Sequence, residues 1–355
     1  MCPLRVHSCL IFYNRLLISL ILIKKEGFDS PWDRQIFMKK IAIIEEIHKD
    51  GLDLLEKNPN YEYELITDVS DENLINKLPK FDACTLRVSR LDEKILKHCP
   101  NLKAISRHGV GYDNVDLDYI KKNNISLLIT ATANAVAVAE HVLSMFLSLS
   151  KSIIKYDEEV RAGNFKTNSG KIKTYEILNK NILIAGFGRI GKKLISRCLA
   201  FDTKVYVYDP YVDEETIKKF GGFKIANIVE GLKIADFVSL HMPLTAETKN
   251  LLNYSVIKKM KNNAIIVNTA RGGIINEADL EKALNENLLF GAALDVFSKE
   301  PVEKSNPLLK NKKVILSPHS ATFTDECTSR MGVETTKNII DFFENKLDKS
   351  MLLKL

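Results

Sequence analysis

Residues 180–200 read KNILIAGFGRIGKKLISRCLA, and the fold turns on this stretch. It opens with NILIA, an apolar run of strand length that ends at a glycine. It closes with GKKLISRCLA, in which apolar residues recur at helical spacing. Gly186, Gly188 and Gly191 follow the first run in GxGxxG order. GxGxxG alone is a weak signal. Here it leaves a strand, enters a helix and precedes a second apolar run, KVYVY, that leads towards Asp209. Asp209 follows Gly191 at close to the spacing of about 20 residues expected for the acidic residue of a dinucleotide-binding βαβ unit.

Each part has a physical task. Gly186 permits the tight turn out of the strand. Gly188 lets a pyrophosphate approach the backbone, and Gly191 lets helix and strand pack closely. Arg189 and Ile190 open the helix, whose free N–H groups and positive dipole end face the phosphates. Asp209 can accept hydrogen bonds from both ribose hydroxyls, and its charge would repel a 2′-phosphate. Pro210 and Tyr211 come next, with no arginine to receive that phosphate. The expected cofactor is NAD in preference to NADP.

The same alternation continues on both sides. Later come ADFVSLHMP, AIIVNTARGG, LFGAALDVF and KVILSPH. Earlier, from Met38, the runs KIAIIEE, YEYELI, FDACTLR, LKAISRHG and ISLLIT alternate with helical patterns such as DGLDLLEK and DLDYIKKN. Continuous apolar strands alternating with amphipathic helices predict parallel sheets covered by helices. A long helix is expected over 134–155 and a last one over roughly 324–346. The 355 residues suit about two domains. The fold class is therefore α/β: two Rossmann-like or flavodoxin-like parallel-sheet domains with a cleft between them.

With 45% apolar and 27% charged residues, the chain has the composition of an ordinary globular protein. Its net charge of +6 comes from scattered basic residues, as in KKMKNN, without the clustering of a nucleic-acid surface. No nucleic-acid partner is expected. Cys2, Cys9, Cys84, Cys99, Cys198 and Cys327 show neither CxxC nor Cys/His ligand spacing. They suggest reduced thiols in the cytoplasm and no metal site. Residues 9–23, CLIFYNRLLISLILI, carry Asn14 and Arg15 in their middle, and the clean run 16–23 is too short to span a bilayer. Residues 1–37 are read as an extension outside the fold or an over-long gene start, with a signal or anchor as the alternative. No membrane partner is expected.

Three ionisable residues fall at or just past the ends of later strands. Arg271 follows AIIVNTA, Glu300 follows AALDVFSK and His319 follows KVILSP. Ligands of open α/β sheets bind beyond the carboxyl ends of strands, so the three can converge on one crevice. Singly, each has an ordinary structural reading: an ion-pair arginine, a surface carboxylate before Pro301, a loop histidine. Together, beside a nicotinamide site, they suit one reaction. The motifs AGFGRIG, VNTARGG, ALDVFSKEP and SPHSA, in this order and spacing, resemble the D-isomer-specific 2-hydroxyacid dehydrogenase family over about residues 38–350.

The resemblance implies a substrate domain formed by 38–133 plus 320–355 and an inserted NAD-binding domain, 134–319. It implies an oxidoreductase that interconverts a D-2-hydroxy acid and its 2-oxo acid. It also implies a homodimer, with the helix near 134–155 at the subunit contact. Arg271 matches the family's substrate-binding arginine, His319 its acid/base histidine and Glu300 the carboxylate that pairs with that histidine. Asp295 matches the residue that holds the nicotinamide carboxamide. Thr269 and Ala270 match backbone contacts nearby, and His241 and Pro243 the wall near the adenosine. SRHGVGYDNVD (106–116) matches the substrate loop, where Gly109, Val110 and Gly111 bring backbone N–H groups to the substrate carboxylate. His108 is either a substrate contact or a polar loop residue.

Arg87 matches a position that can reach an anionic substrate tail. With overall similarity, it ranks 3-phosphoglycerate first among small anionic substrates. Hydroxypyruvate or glyoxylate follows, then D-lactate or a sulfonated hydroxy acid. The sequence ends soon after the last expected helix, so the regulatory C-terminal domain of longer phosphoglycerate dehydrogenases is not expected. TATANAVAVAEH departs from the more usual proline-containing loop. A second class, an NAD-sensing protein without catalysis, is the competing reading; the intact Arg–Glu–His set weighs against it.

Overall fold

The computed structural model describes residues 38–165 and 171–354, so the expectations for 1–37 lie outside the described residues. The chain divides into two compact units. One holds 38–129 and 335–354, the other 130–334.

In the first unit β1 (Lys39–Ile44), β2 (Tyr61–Ile66), β3 (Ala83–Leu86), β4 (Ala104–Arg107) and β5 (Ser126–Ile129) alternate with α1 (Lys49–Glu56), α2 (Asp71–Lys77), α3 (Glu93–Leu96) and α4 (Leu117–Lys122). The strands are all parallel, in the order β2-β1-β3-β4-β5. This is the flavodoxin-like order. Successive side chains leave a strand on opposite faces. Ala42 and Ile44 therefore join Cys84, Leu86, Ile105 and Leu127 in one apolar cluster, while Ile41 and Ile43 join Ala83, Ala104 and Leu128 in another. Burial on both faces is why these strands read as unbroken apolar runs. Register aligns their carboxyl ends: Ile44 lies opposite Leu86, and Leu86 opposite Arg107. One step further on, Glu45, Arg87 and His108 stand in a row.

The second unit contains α5 (Ala135–Ser150), α6 (Ile153–Arg161), β6 (Asn181–Ala185), α7 (Arg189–Leu199), β7 (Lys204–Tyr208), α8 (Glu214–Lys219), β8 (Phe223–Lys224), α9 (Ile228–Ile234) and β9 (Phe237–Leu240). It continues through α10 (Tyr254–Ile257), β10 (Ile265–Asn268), α11 (Glu277–Asn285), β11 (Gly291–Leu294) and β12 (Val314–Leu316) into α12 (Asp325–Phe343). Its parallel sheet runs β12-β11-β10-β9-β6-β7-β8. The chain starts at β6 in the interior, moves one way through β7 and β8, then reverses to β9 on the other side. That reversal is the Rossmann switch point. Ile182 and Ile184 pack on one face with α5 and α7, and Leu183 and Ala185 on the other with α9 and α11.

Two differences from the sequence expectations have local causes. The helix expected over 134–155 is two helices, α5 and α6, bent by 57°. Ser152 takes a left-handed conformation, φ 51°, which cannot continue a right-handed helix. α5 buries Val142, Phe146 and Leu149 in its unit, whereas α6 buries no residue. No single helix among the described residues is long and apolar enough to cross a membrane.

The units divide at 129/130 and 334/335, not at the expected 133/134 and 319/320. The first half of α12 packs with α5, which moves the second division: Cys327 and Met331 meet Ala133 and Ala137. Arg330 donates to the Ala133 carbonyl at 3.1 Å, and Glu334 accepts from the Thr132 N–H at 3.2 Å.

Candidate active site

The glycine loop of the second unit is built as its spacing requires. Gly186 has φ 101°, and a Cβ there would lie 2.5 Å from the His241 carbonyl oxygen. A Cβ on Gly191 would meet the Gly186 oxygen, also at 2.5 Å. Only glycine fits either place. Gly188 caps α7 without a side-chain hydrogen bond, and nothing lies within 4 Å of where its Cβ would be. Gly188 and Arg189 are exposed, and Ile190 is half-buried against the apolar cluster behind them. An exposed helix start with its N–H groups uncapped by a side chain fits a pyrophosphate.

Asp209, one residue beyond β7, accepts from the Phe187 N–H at 2.8 Å and the Tyr211 N–H at 2.9 Å. Its carboxylate thus ties the glycine loop to the second strand. His241, just past β9, donates its backbone N–H to the Ala185 carbonyl at 2.7 Å. Its Nε2 lies 2.8 Å from Ser239 Oγ, and its Nδ1 is buried without a partner. Burial pushes this imidazole down to about 4, so it is neutral at ordinary pH. Pro243 lies exposed two residues on, its carbonyl accepting from Thr248 Oγ1 at 2.7 Å.

The three expected ionisable residues leave neighbouring strands. Register sets Asn268 opposite Leu294 and Leu294 opposite Leu316, so β10, β11 and β12 end level. After β10 the buried Asn268 holds the turn from both ends of its amide. Its Oδ1 accepts from the Ala270 N–H at 3.0 Å, and its Nδ2 donates to the Arg271 carbonyl at 2.8 Å. Thr269 is buried, with its hydroxyl unpartnered. Arg271 is half-buried and donates from Nη1 to the Ala270 carbonyl at 2.7 Å. At Gly272 a Cβ would fall 1.8 Å from the Phe297 carbonyl oxygen. The arginine turn and the Phe297 turn therefore touch through backbone alone.

That second turn positions Glu300, whose Oε1 accepts from the Phe297 N–H at 2.9 Å. Glu300 Oε2 lies 2.8 Å from His319 Nδ1. The hydrogen bond to Glu300 raises the His319 pKa, against the opposing effect of burial. For Glu300, burial works upward. The hydrogen bonds from His319 and Phe297, with the charges of His319 and Arg271, outweigh it and hold the carboxyl below its usual range. Arg271 is thus close enough to act electrostatically on both members of the pair.

Asp295 is fully buried directly after β11. Its Oδ1 accepts from Ser317 Oγ at 2.5 Å and the Ser320 N–H at 2.8 Å, and its Oδ2 from the Ala321 N–H at 3.0 Å. Its carbonyl accepts from the His319 N–H at 2.8 Å. His141 of α5 reaches the same group, with Nε2 3.2 Å from Ser317 Oγ. The carboxylate placed by resemblance at the nicotinamide here clamps the turn that presents His319. His319 itself has φ 54°, an uncommon value for a side chain other than glycine.

The remaining expected residues belong to the first unit. Arg87 follows β3 and donates from Nη1 to the Glu46 carbonyl at 2.7 Å. His108 follows β4, its N–H bonded to the Leu86 carbonyl at 2.9 Å and its Nε2 buried without a partner. Gly109 has φ 150° with open space around it. Val110 and Gly111 are half-buried, and the Gly111 carbonyl accepts from Arg107 Nε at 2.7 Å. Sequence reasoning missed Asn268, Gly272 and Glu45, the last of which accepts from the Val88 and Ser89 N–H groups beside Arg87. An asparagine ending an apolar strand and a doubled glycine after an arginine were the available signals for the first two.

Residues 143–321 match the family described as D-isomer specific 2-hydroxyacid dehydrogenase, NAD binding domain. The chain belongs to the D-isomer specific 2-hydroxyacid dehydrogenase family, and its second unit is an NAD-binding domain. It is similar to D-3-phosphoglycerate dehydrogenase of Archaeoglobus fulgidus, 33% identical over 303 residues, 85% of this chain and 57% of that one. It is also similar to glyoxylate reductase of Thermococcus litoralis, 33% identical over 328 residues, 89% of this chain and 97% of that one. The chain thus spans little more than half of the first relative and nearly all of the second. Among solved structures, D-lactate dehydrogenase of Aquifex aeolicus, complexed with NAD and lactic acid, matches with a TM-score of 0.77 and 29% identity, covering 88% of this chain and 98% of that one.

Proposed function

We propose that this chain is an NAD-dependent oxidoreductase that interconverts a D-2-hydroxy acid and its 2-oxo acid. The observation that carries this is the His319–Glu300 pair at 2.8 Å with Arg271 acting on both, set on level strand ends of an NAD-binding domain. Bound NAD supplies or accepts the hydride. The chain's own residues do the rest. Gly188 and the start of α7 hold the pyrophosphate, and Asp209 the ribose. Arg271 presents a planar guanidinium to the carboxylate of the acid. His319 gives a proton to the carbonyl oxygen in reduction and removes one from the hydroxyl in oxidation. Glu300 fixes the Nδ1–H tautomer, which leaves Nε2 to exchange that proton.

We also assign the working form to a homodimer in the cytoplasm. α6 supports the dimer: it buries none of its residues in the chain and exposes Ile153, Ile154 and Val160. Unpaired thiols at Cys84, Cys99, Cys198 and Cys327 suit a reducing compartment. For the substrate, the charge of Arg87 taken by itself would suit the phosphate of 3-phosphoglycerate. Similarity to a glyoxylate reductase, at 33% identity, supports a short acid such as glyoxylate or hydroxypyruvate. The test is purified protein with NADH and a panel of 2-oxo acids, following NADH loss by absorbance. Turnover of at least one acid is expected. Measurable NADH binding with no turnover of any acid contradicts the assignment.

A further inference from the structure

Ligands of open parallel sheets bind past the carboxyl edge. In the first unit that edge carries Glu45, Arg87 and His108, side by side by register. Two buried polar atoms there, His108 Nε2 and Ser89 Oγ, have no hydrogen-bond partner among the described residues. Buried polar atoms are rarely left so, and these suit a polar group from outside the chain.

Glu45 differs from its neighbours. Its backbone is left-handed, φ 66°, a conformation that is costly for a residue with a side chain. From it, Oε2 accepts from the Val88 N–H at 2.9 Å and the Ser89 N–H at 3.0 Å. Successive backbone N–H groups pointing one way make an anion-binding concavity. Here the protein's own carboxylate fills it. Arg87, next to that turn, is tethered to the Glu46 carbonyl. His108 adds no positive charge, because burial and the nearby Arg87 and Arg107 push it down to about 4. A phosphate approaching Arg87 would find two amide donors taken and a carboxylate beside it. Like charges brought together in this way strongly oppose binding.

We propose that Glu45 determines substrate specificity: it seals the Val88–Ser89 anion concavity and directs the protein to 2-oxo acids with a short uncharged far end, a hydrogen or a hydroxymethyl group, and away from phosphorylated ones. This rests on the dehydrogenase reading above and deepens it.

Hydroxypyruvate and 3-phosphohydroxypyruvate are the matched probes. Their kcat/KM values with NADH are compared for the full chain and for Glu45→Gln, which keeps an acceptor oxygen for both N–H groups and removes the charge. The unaltered protein should prefer hydroxypyruvate, and Glu45→Gln should shift the ratio towards the phosphorylated acid by about tenfold or more. A starting preference for the phosphorylated acid, or a ratio that the substitution does not move, overturns the proposal. Calorimetric binding of the same two acids separates it from the reaction. If neither acid is reduced, the dehydrogenase reading is judged by the full panel of 2-oxo acids, and Glu45 by binding alone. Tighter binding of the phosphorylated acid by Glu45→Gln then supports its role; no gain, or no binding by either protein, overturns it.

Discussion

At the scale of single residues, the proposed chemistry depends on how Glu300 and His319 shift one another. The pair is half exposed, so its main consequence is for reactivity and not for stability. The proposed reduction needs His319 protonated. Its raised pKa keeps the proton in place as pH rises, and reduction is lost only as pH passes the folded value. Glu300→Gln removes the largest raising cause and leaves burial, which lowers. The alkaline limb of reduction should therefore move to lower pH, with kcat/KM at neutral pH down about tenfold or more. A pH–rate profile of the variant measures both. An unmoved limb would mean that the titrating group is not this imidazole. Asp295 teaches a different lesson at the same scale. Its chain position and charge are visible in ALDVF, but its full burial under the 317–321 turn is not, because the groups that satisfy it come from the next strand's loop.

At the scale of elements, the site exists because β10, β11 and β12 end level and their turns are locked together by backbone. Gly272 is the tightest of these locks, with Phe297 O 1.8 Å from where a Cβ would sit. Gly272→Ala must displace the turn that holds Glu300. It should destabilise the fold by about 3 kcal/mol or more, read as a lower urea midpoint. A midpoint equal to that of the unaltered protein would show that the two turns are not packed as described. The elements were legible where period and burial agree: two-sided strands such as NILIA and AIIVN announce themselves as apolar runs. The break at Ser152 was not, since LSLSKSIIK keeps a helical pattern and one left-handed residue leaves no compositional mark. Glu45 escaped for a related reason. Its importance comes from strand register, which brings it beside Arg87 across 42 positions of sequence.

At the scale of the whole molecule, each of the two parallel-sheet units carries its own set of residues at the carboxyl ends of its strands. The second provides the NAD domain and the Arg271–Glu300–His319 group; the first provides Arg87, His108 and the Glu45 carboxylate. The match to D-3-phosphoglycerate dehydrogenase covers 57% of that relative, and the match to glyoxylate reductase covers 97%. The central claim is that the chain performs hydride transfer with His319 as the proton donor and acceptor. Its most direct test is a stopped-flow single turnover of bound NADH with an accepted 2-oxo acid, comparing the unaltered protein with His319→Ala. The expected result is that His319→Ala binds NADH as before but oxidises it slower by about 10²–10⁴-fold. Oxidation at an undiminished rate in the variant would contradict the claim.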